Sequence, residues 1–177
     1  TLEPGEYTVI AVIDPDNAIA ESGESNNTAV STGKLSVGDA FVDLSPVVSR
    51  IPDNGILGGS KISLEALVTN LGTMPADGLV DVTFYASLDG TLDGGDIELG
   101  VVSGQKFKAK PGQAKKIKLK TVLPNMPEGD YRVIASIDST TGFEDREPGN
   151  DQFVTSESFF AADAFIDLVG AIGALPD

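Results

Sequence analysis

The side chains best suited to chemistry crowd into one stretch, Asp89-Gly90-Thr91-Leu92-Asp93-Gly94-Gly95-Asp96-Ile97-Glu98. Asp89, Asp93, Asp96 and Glu98 offer carboxylate oxygens, and the glycines let backbone carbonyls turn inward. Calcium takes about six to eight such oxygens. The spacing departs from that of an EF-hand loop. The same composition equally suits a solvated hairpin, where Asp and Gly supply turn chemistry. Calcium is therefore the one cofactor the sequence suggests. A second acidic loop holds Asp14, Asp16, Asn17, Glu21, Glu24 and Asn26, with a counterpart in Asp138, Glu144, Asp145, Glu147 and Asn150. Each reads as a cation site or as a long polar hairpin in which Asn26 and Asn150 cap turn backbone. Asp39 and Asp43 are further candidates for a cation site at a junction between domains.

Basic residues are just as unevenly placed. Lys106, Lys108, Lys110, Lys115, Lys116, Lys118 and Lys120 are seven of the 12 Lys and Arg residues, which leaves five against 27 acids elsewhere, a net of −22. Lys106, Lys108 and Lys110 alternate, as do Lys116, Lys118 and Lys120, so each trio lines one face of a strand. Lysines on strands guard sheet edges against aggregation. Alternatively they form a basic stripe that meets the acidic surface of another copy. No diagnostic pairing marks a Lys–Asn isopeptide bond. Asn26-Asn27-Thr28 matches a glycosylation acceptor but reads as a polar loop.

Other chemistries are excluded by composition. The 177 residues include no Cys and no His, which removes His-based triads, structural zinc, iron–sulfur clusters and disulfides. A net charge of −15 opposes nucleic acid and anionic membranes. A hydrolase built on two carboxylates needs them facing across a cleft, whereas these acids sit in turns. The absence of Trp and the few Tyr argue against sugar stacking. The most apolar tail, Ala164 to Leu175, is short and carries Asp167, so this segment is not expected to insert in a membrane.

The elements that position these loops follow from an internal repeat. Gly5-Glu6-Tyr7-Thr8-Val9-Ile10-Ala11-Val12-Ile13-Asp14 aligns with Gly129-Asp130-Tyr131-Arg132-Val133-Ile134-Ala135-Ser136-Ile137-Asp138 at an offset of 124. The same offset matches Asp39-Ala40-Phe41-Val42-Asp43-Leu44 with Asp163-Ala164-Phe165-Ile166-Asp167-Leu168. Residues 1–53 and 125–177 share 16 identities in 53 ungapped pairs, where chance gives about 3. The organisation expected is the end of a preceding repeat over 1–38, a complete unit over 39–162, and the first strand of a following repeat over 163–177. The termini then read as cuts through a longer array.

Within the unit, period-two alternation and frequent turn signals predict an all-β, immunoglobulin-like two-sheet sandwich of about eight strands. Strands are expected over Phe41–Ile51, Lys61–Val68, Leu79–Leu88, Ile97–Ser103, Lys106–Lys110, Ala114–Leu123, Tyr131–Asp138 and Gln152–Phe160. Pro46 places the first strand at an edge or a strand switch. Tyr131, just after an acidic–Gly turn, has the placement of a tyrosine corner, and Tyr7 repeats it. Junctions of about four residues suggest semi-rigid connections.

Val68-Thr69-Asn70-Leu71-Gly72-Thr73 with Pro75-Ala76, Phe84-Tyr85-Ala86-Ser87-Leu88-Asp89, Leu92-Asp93 with Asp96 and Leu99-Gly100, and Pro111-Gly112-Gln113 form an ordered series. The closing Gly-x-Tyr-x-Val-x-Ala-x-x-Asp is followed by Glu21, Glu24, Asn26 and Asn27 in the first copy. Together they resemble CARDB domains, the "cell adhesion related domain found in bacteria". The second copy departs at Asn150-Asp151 and Thr140-Thr141. The resemblance implies a non-catalytic, extracellular Ig-like module of a large prokaryotic surface protein. Neighbouring copies would be its partners, in a rod, fibre or coat. The alternative expectation is a calcium-dependent adhesin or ligand-binding module.

Overall fold

The computed structural model describes residues 2–23 and 25–163, and the chain divides into two compact units that meet in sequence between Ala40 and Phe41. The first unit is one antiparallel hairpin of β1 (Gly5–Val12) and β2 (Thr28–Val37). The second holds β3 (Leu44–Arg50), β4 (Ile56–Leu57), β5 (Lys61–Asn70), β6 (Ala76–Ser87), β7 (Ile97–Ala109), β8 (Ala114–Val122), β9 (Gly129–Thr141) and β10 (Gln152–Ala162). A 3-10 turn, Pro148–Asn150, precedes β10.

Two sheets result, ordered β4-β10-β9-β6-β7 and β3-β5-β8. Alternation assigns their inner faces. Ile62, Leu64, Ala66 and Val68 of β5 are buried, as are Val80, Val82, Phe84 and Ala86 of β6 and Ile117 and Leu119 of β8. These side chains form one core with Phe107, Val133, Ala135, Ile137 and Phe159. Tyr131 stacks on Phe159 with ring centroids 6.0 Å apart, an arrangement that adds to simple area burial. The chain is thus an all-β two-sheet sandwich in its second unit. Pro46 sits on β3, an edge strand of the three-stranded sheet.

Two elements differ from the sequence expectation. The strands expected over Ile97–Ser103 and Lys106–Lys110 are one 13-residue strand, β7. Its register slips opposite Val80–Val82. There Gly104 takes φ +60°, and the Asp81 carboxylate accepts from the Ser103 hydroxyl at 3.0 Å and the Gly104 N–H at 2.6 Å. The break is a bulge, in which an extra residue bends a strand without ending it. The second difference is β4, two residues that pair in parallel with Ala161 and Ala162 of β10.

The hairpins β1–β2 and β9–β10 have the same construction. Gly5 pairs with Val37, Tyr7 with Leu35, Ile10 with Val30 and Val12 with Thr28. Adding 124 to each gives Gly129 with Ala161, Tyr131 with Phe159, Ile134 with Val154 and Ser136 with Gln152. The irregularity falls at the same place, where the Val9 N–H donates to Ser31 Oγ at 3.1 Å and the Val133 N–H to Thr155 Oγ1 at 3.0 Å. The Tyr7 hydroxyl donates to the Glu3 carbonyl at 2.6 Å, and the Tyr131 hydroxyl to the Pro127 carbonyl at 3.0 Å. Coverage is what distinguishes them. Val9, Ile13 and Leu35 are 53%, 70% and 47% exposed, whereas Val133, Ile137 and Phe159 are 0%, 3% and 0% exposed. The strand expected over 163–177 lies outside the described residues.

Candidate functional site

The loop after β6 spends its acids on its own backbone. Asp89 Oδ1 accepts from the Thr91 N–H at 2.7 Å and the Ser87 hydroxyl at 3.1 Å. These bonds hold its carboxyl below the ordinary range, the backbone donor contributing most. Asp93 Oδ1 accepts from the Gly95 N–H at 2.7 Å, and Asp96 Oδ2 from the Asp93 N–H at 2.9 Å. The geometry is that of consecutive Asx turns. Among the described residues, no group of three or more acidic side chains is arranged to hold a metal ion, Asp89, Asp93, Asp96 and Glu98 included.

In the first hairpin, Asp14 also serves the turn, its two oxygens accepting from the Ala18 and Ile19 N–H groups at 2.9 and 2.8 Å. Asp14 and Asn17 adopt φ 44° and 47°, conformations that Asn and Asp tolerate better than most residues. Asn26 lines a hollow with Ile13, Glu21, Ser22, Gly23 and Asn27. Glu24 lies outside the described residues.

The equivalent loop of the second hairpin is built otherwise. Asp145 Oδ2 accepts the Leu44 N–H at 2.6 Å, and its Oδ1 the Glu147 N–H at 3.1 Å. Asn150 Nδ2 donates to Asp43 Oδ1 at 3.0 Å rather than capping turn backbone. Asp43, near the expected junction, is buried here instead. Asn150 Oδ1 and Asp151 Oδ1 are buried with no hydrogen-bond partner. Burial pushes the Asp151 carboxyl up to about 7, reinforced by the charges of Asp145, Asp138 and Asp43. Burial likewise raises Asp145. The result is an acidic seam joining β3 to the β9–β10 loop. It was not legible as a unit because Asp43 lies far from the loop in sequence.

The lysine trios belong to different sheets. Lys106 and Lys108 flank buried Phe107 on β7, and Lys110 follows Ala109; Lys116, Lys118 and Lys120 flank buried Ile117 and Leu119 on β8. Both strands are sheet edges. Each trio points away from the core, so the single stripe read from sequence is two, one on each outer face of the sandwich. Lys108 pairs with Asp77 at 2.7 Å, and Lys116 and Lys118 both pair with Glu65 at 2.9 Å. Hydrogen bonds from Lys118 and then Lys116 hold Glu65 down at about 2.

A cavity of about 430 Å³ lies at one end of the three-stranded sheet, lined by Arg50, Lys61 and Lys120 together with aliphatic residues including Ile56 and Ile62. It falls between the β3–β4 connection and the paired ends of β5 and β8, where Ser63 stands opposite Lys120 and Ile62 opposite Thr121. Lys120 was legible as part of a trio. Arg50 and Lys61 were not, because nothing local in the sequence links them to it.

Among solved structures, the chain is similar to the CARDB domain of the PF1109 protein from Pyrococcus furiosus, whose crystal structure is in complex with di-metal ions. The identity is 18% over 72% of this chain and 97% of that one, with a TM-score of 0.45. The solution structure of the same domain gives 19%, 71%, 97% and 0.43. The sporulation control protein Spo0M of Bacillus subtilis gives 12% identity over 72% of this chain and 51% of its own, with a TM-score of 0.42. No family model and no curated protein matches the chain.

Proposed function

We propose that the chain is a non-catalytic structural module of a large prokaryotic surface or secreted protein, in which 124-residue Ig-like units follow one another in series. Such units would form a semi-rigid rod, fibre or coat and serve assembly or adhesion, with neighbouring copies as partners. The observation that carries this reading is the shared register of β1–β2 and β9–β10, with one apolar face exposed and the other buried. A hairpin with a core face needs further strands to cover it. The short connection Gly38-Asp39-Ala40 supports semi-rigid spacing. Lysines on both edge strands suit a protein that must meet its copies without random sheet pairing.

The test supplies the missing strands. Residues 39–124 are fused ahead of residue 1, and amide exchange is followed in both hairpins. The expected result is protection of β1–β2 rising at least tenfold toward that of β9–β10. Unchanged exchange in β1–β2 would sink the series reading.

The second reading is a calcium-dependent adhesin. The buried, unpartnered oxygens of Asn150 and Asp151 support it more than the Asp89–Glu98 loop does, but the described acids around them are not arranged as a metal cage, so this reading requires the seam to close around the ion. A cation there would offset the carboxylate repulsion. On this reading calcium raises the melting temperature and chelator reverses it; an unmoved transition removes it.

A further inference from the structure

The cavity at the end of the three-stranded sheet combines features that occur together nowhere else among the described cavities. Arg50, Lys61 and Lys120 line it against a single acid, Asp53, a balance of +2 in a chain of net charge −15. None of the ion pairs between described residues uses any of these three cations. Cations gathered around one hollow make its potential positive and attract an anion. Ser63 Oγ is buried in the same lining with no hydrogen-bond partner. A buried hydroxyl without a partner carries a desolvation cost that a ligand acceptor removes. Ile51, Pro52, Ile56, Ile62 and Val122 supply an apolar wall. A cavity with mostly apolar walls and a few convergent polar groups is the usual form of a small-ligand site.

We propose that this cavity binds an aliphatic carboxylate, with the anion held by Arg50, Lys61 and Lys120, an acceptor oxygen on the Ser63 hydroxyl, and the aliphatic body against Ile51, Ile56 and Ile62. Arg50 provides the planar fork that matches a carboxylate through two parallel bonds. The aliphatic wall separates this chemistry from that of a bare phosphate or sulfate, which has no apolar body to bury. The carboxylate can arrive as a free acid or as an Asp or Glu side chain beside an aliphatic residue in a peptide. This assignment is independent of whether the units stand in series.

The test uses the full chain, isotopically labelled, with amide resonances followed during titration. The probes are glutarate, the capped tripeptide acetyl-Leu-Glu-Leu-amide, neutral glutaramide and inorganic phosphate. Saturable shifts at Ile62, Ser63, Thr121 and Val122 are expected with glutarate, the peptide or both, and which of them binds identifies the source. Glutaramide and phosphate should bind at least about tenfold more weakly. Arg50→Gln and Lys61→Gln should each weaken the acid about tenfold without moving the melting temperature, both side chains being exposed. Ser63→Ala should act in the same direction. The proposal is overturned if neither acid gives saturable shifts there, if phosphate binds as tightly as the acids, or if affinity survives the combined Arg50→Gln, Lys61→Gln substitution.

Discussion

At the scale of single residues, the acids of this chain fall into two kinds that look alike in sequence. Asp89, Asp93 and Asp96 accept backbone N–H groups within their own loop. An Asx-turn reading was legible there because each bond spans only two or three residues. Asp145 and Asp151 instead face Asp43, and no local pattern announces that. The raised Asp151 carboxyl sets a pH dependence with a definite sign. Between the unfolded value of about 4 and the folded value of about 7, the folded state binds the extra proton. Stability therefore falls as pH rises through that window. The lowered Glu65, Asp77 and Asp89 act oppositely, their contributions being lost as pH falls below about 4. Stability should peak near pH 4 to 5. Thermal melting of Asp151→Asn should show the decline between pH 4 and 7 flattened, with the variant more stable than the parent at pH 8. A parent curve flat across that window would refute the assignment.

At the scale of elements, most inner faces were readable because alternation fixes them: β5, β6, β8 and β9 bury the residues that the period of two selects. β7 was misread for an identifiable reason. Ser103-Gly104 has the composition of a turn, and the acid that absorbs it, Asp81, lies on the neighbouring strand. A partner 22 residues away leaves no local trace. β4 was missed because two residues carry no periodicity. The bulge yields its own prediction. Nothing lies within 4 Å of a Cβ added at Gly104, so Gly104→Ala meets only the left-handed backbone cost. That cost is about 1 kcal/mol. Urea unfolding should show a lowered midpoint at an unchanged slope. A wild-type midpoint would mean that the bulge relaxes freely.

At the scale of the whole molecule, charge and apolar surface divide the labour. The outer faces near β7 and β8 are basic, the loops acidic, and the first hairpin carries apolar side chains that its equivalent in the second unit buries. A protein assembled from units in series should appear in electron micrographs of native material as thin strands with one repeating spacing. Isolated compact particles at high concentration would oppose a fibre or coat. The likeness of the two hairpins was legible because it is written in the linear order of residues. The cation-lined cavity was not, because sheet pairing alone brings Arg50, Lys61 and Lys120 to one place.

The parallel pairing of Ile56 and Leu57 with Ala161 and Ala162 has a mechanical meaning. The Phe160 N–H also donates to Asn54 Oδ1 at 3.0 Å, and its carbonyl accepts the Gly55 N–H at 2.9 Å. Tension arriving through the chain after Ala162 pulls β10 along its own axis. It loads these bonds side by side, in shear, with those that tie β10 to β9. Bonds loaded together must fail together, and forced rupture is set by that barrier rather than by equilibrium stability. If units stand in series as proposed, the shortest of the described strands would act as a latch where a pull enters.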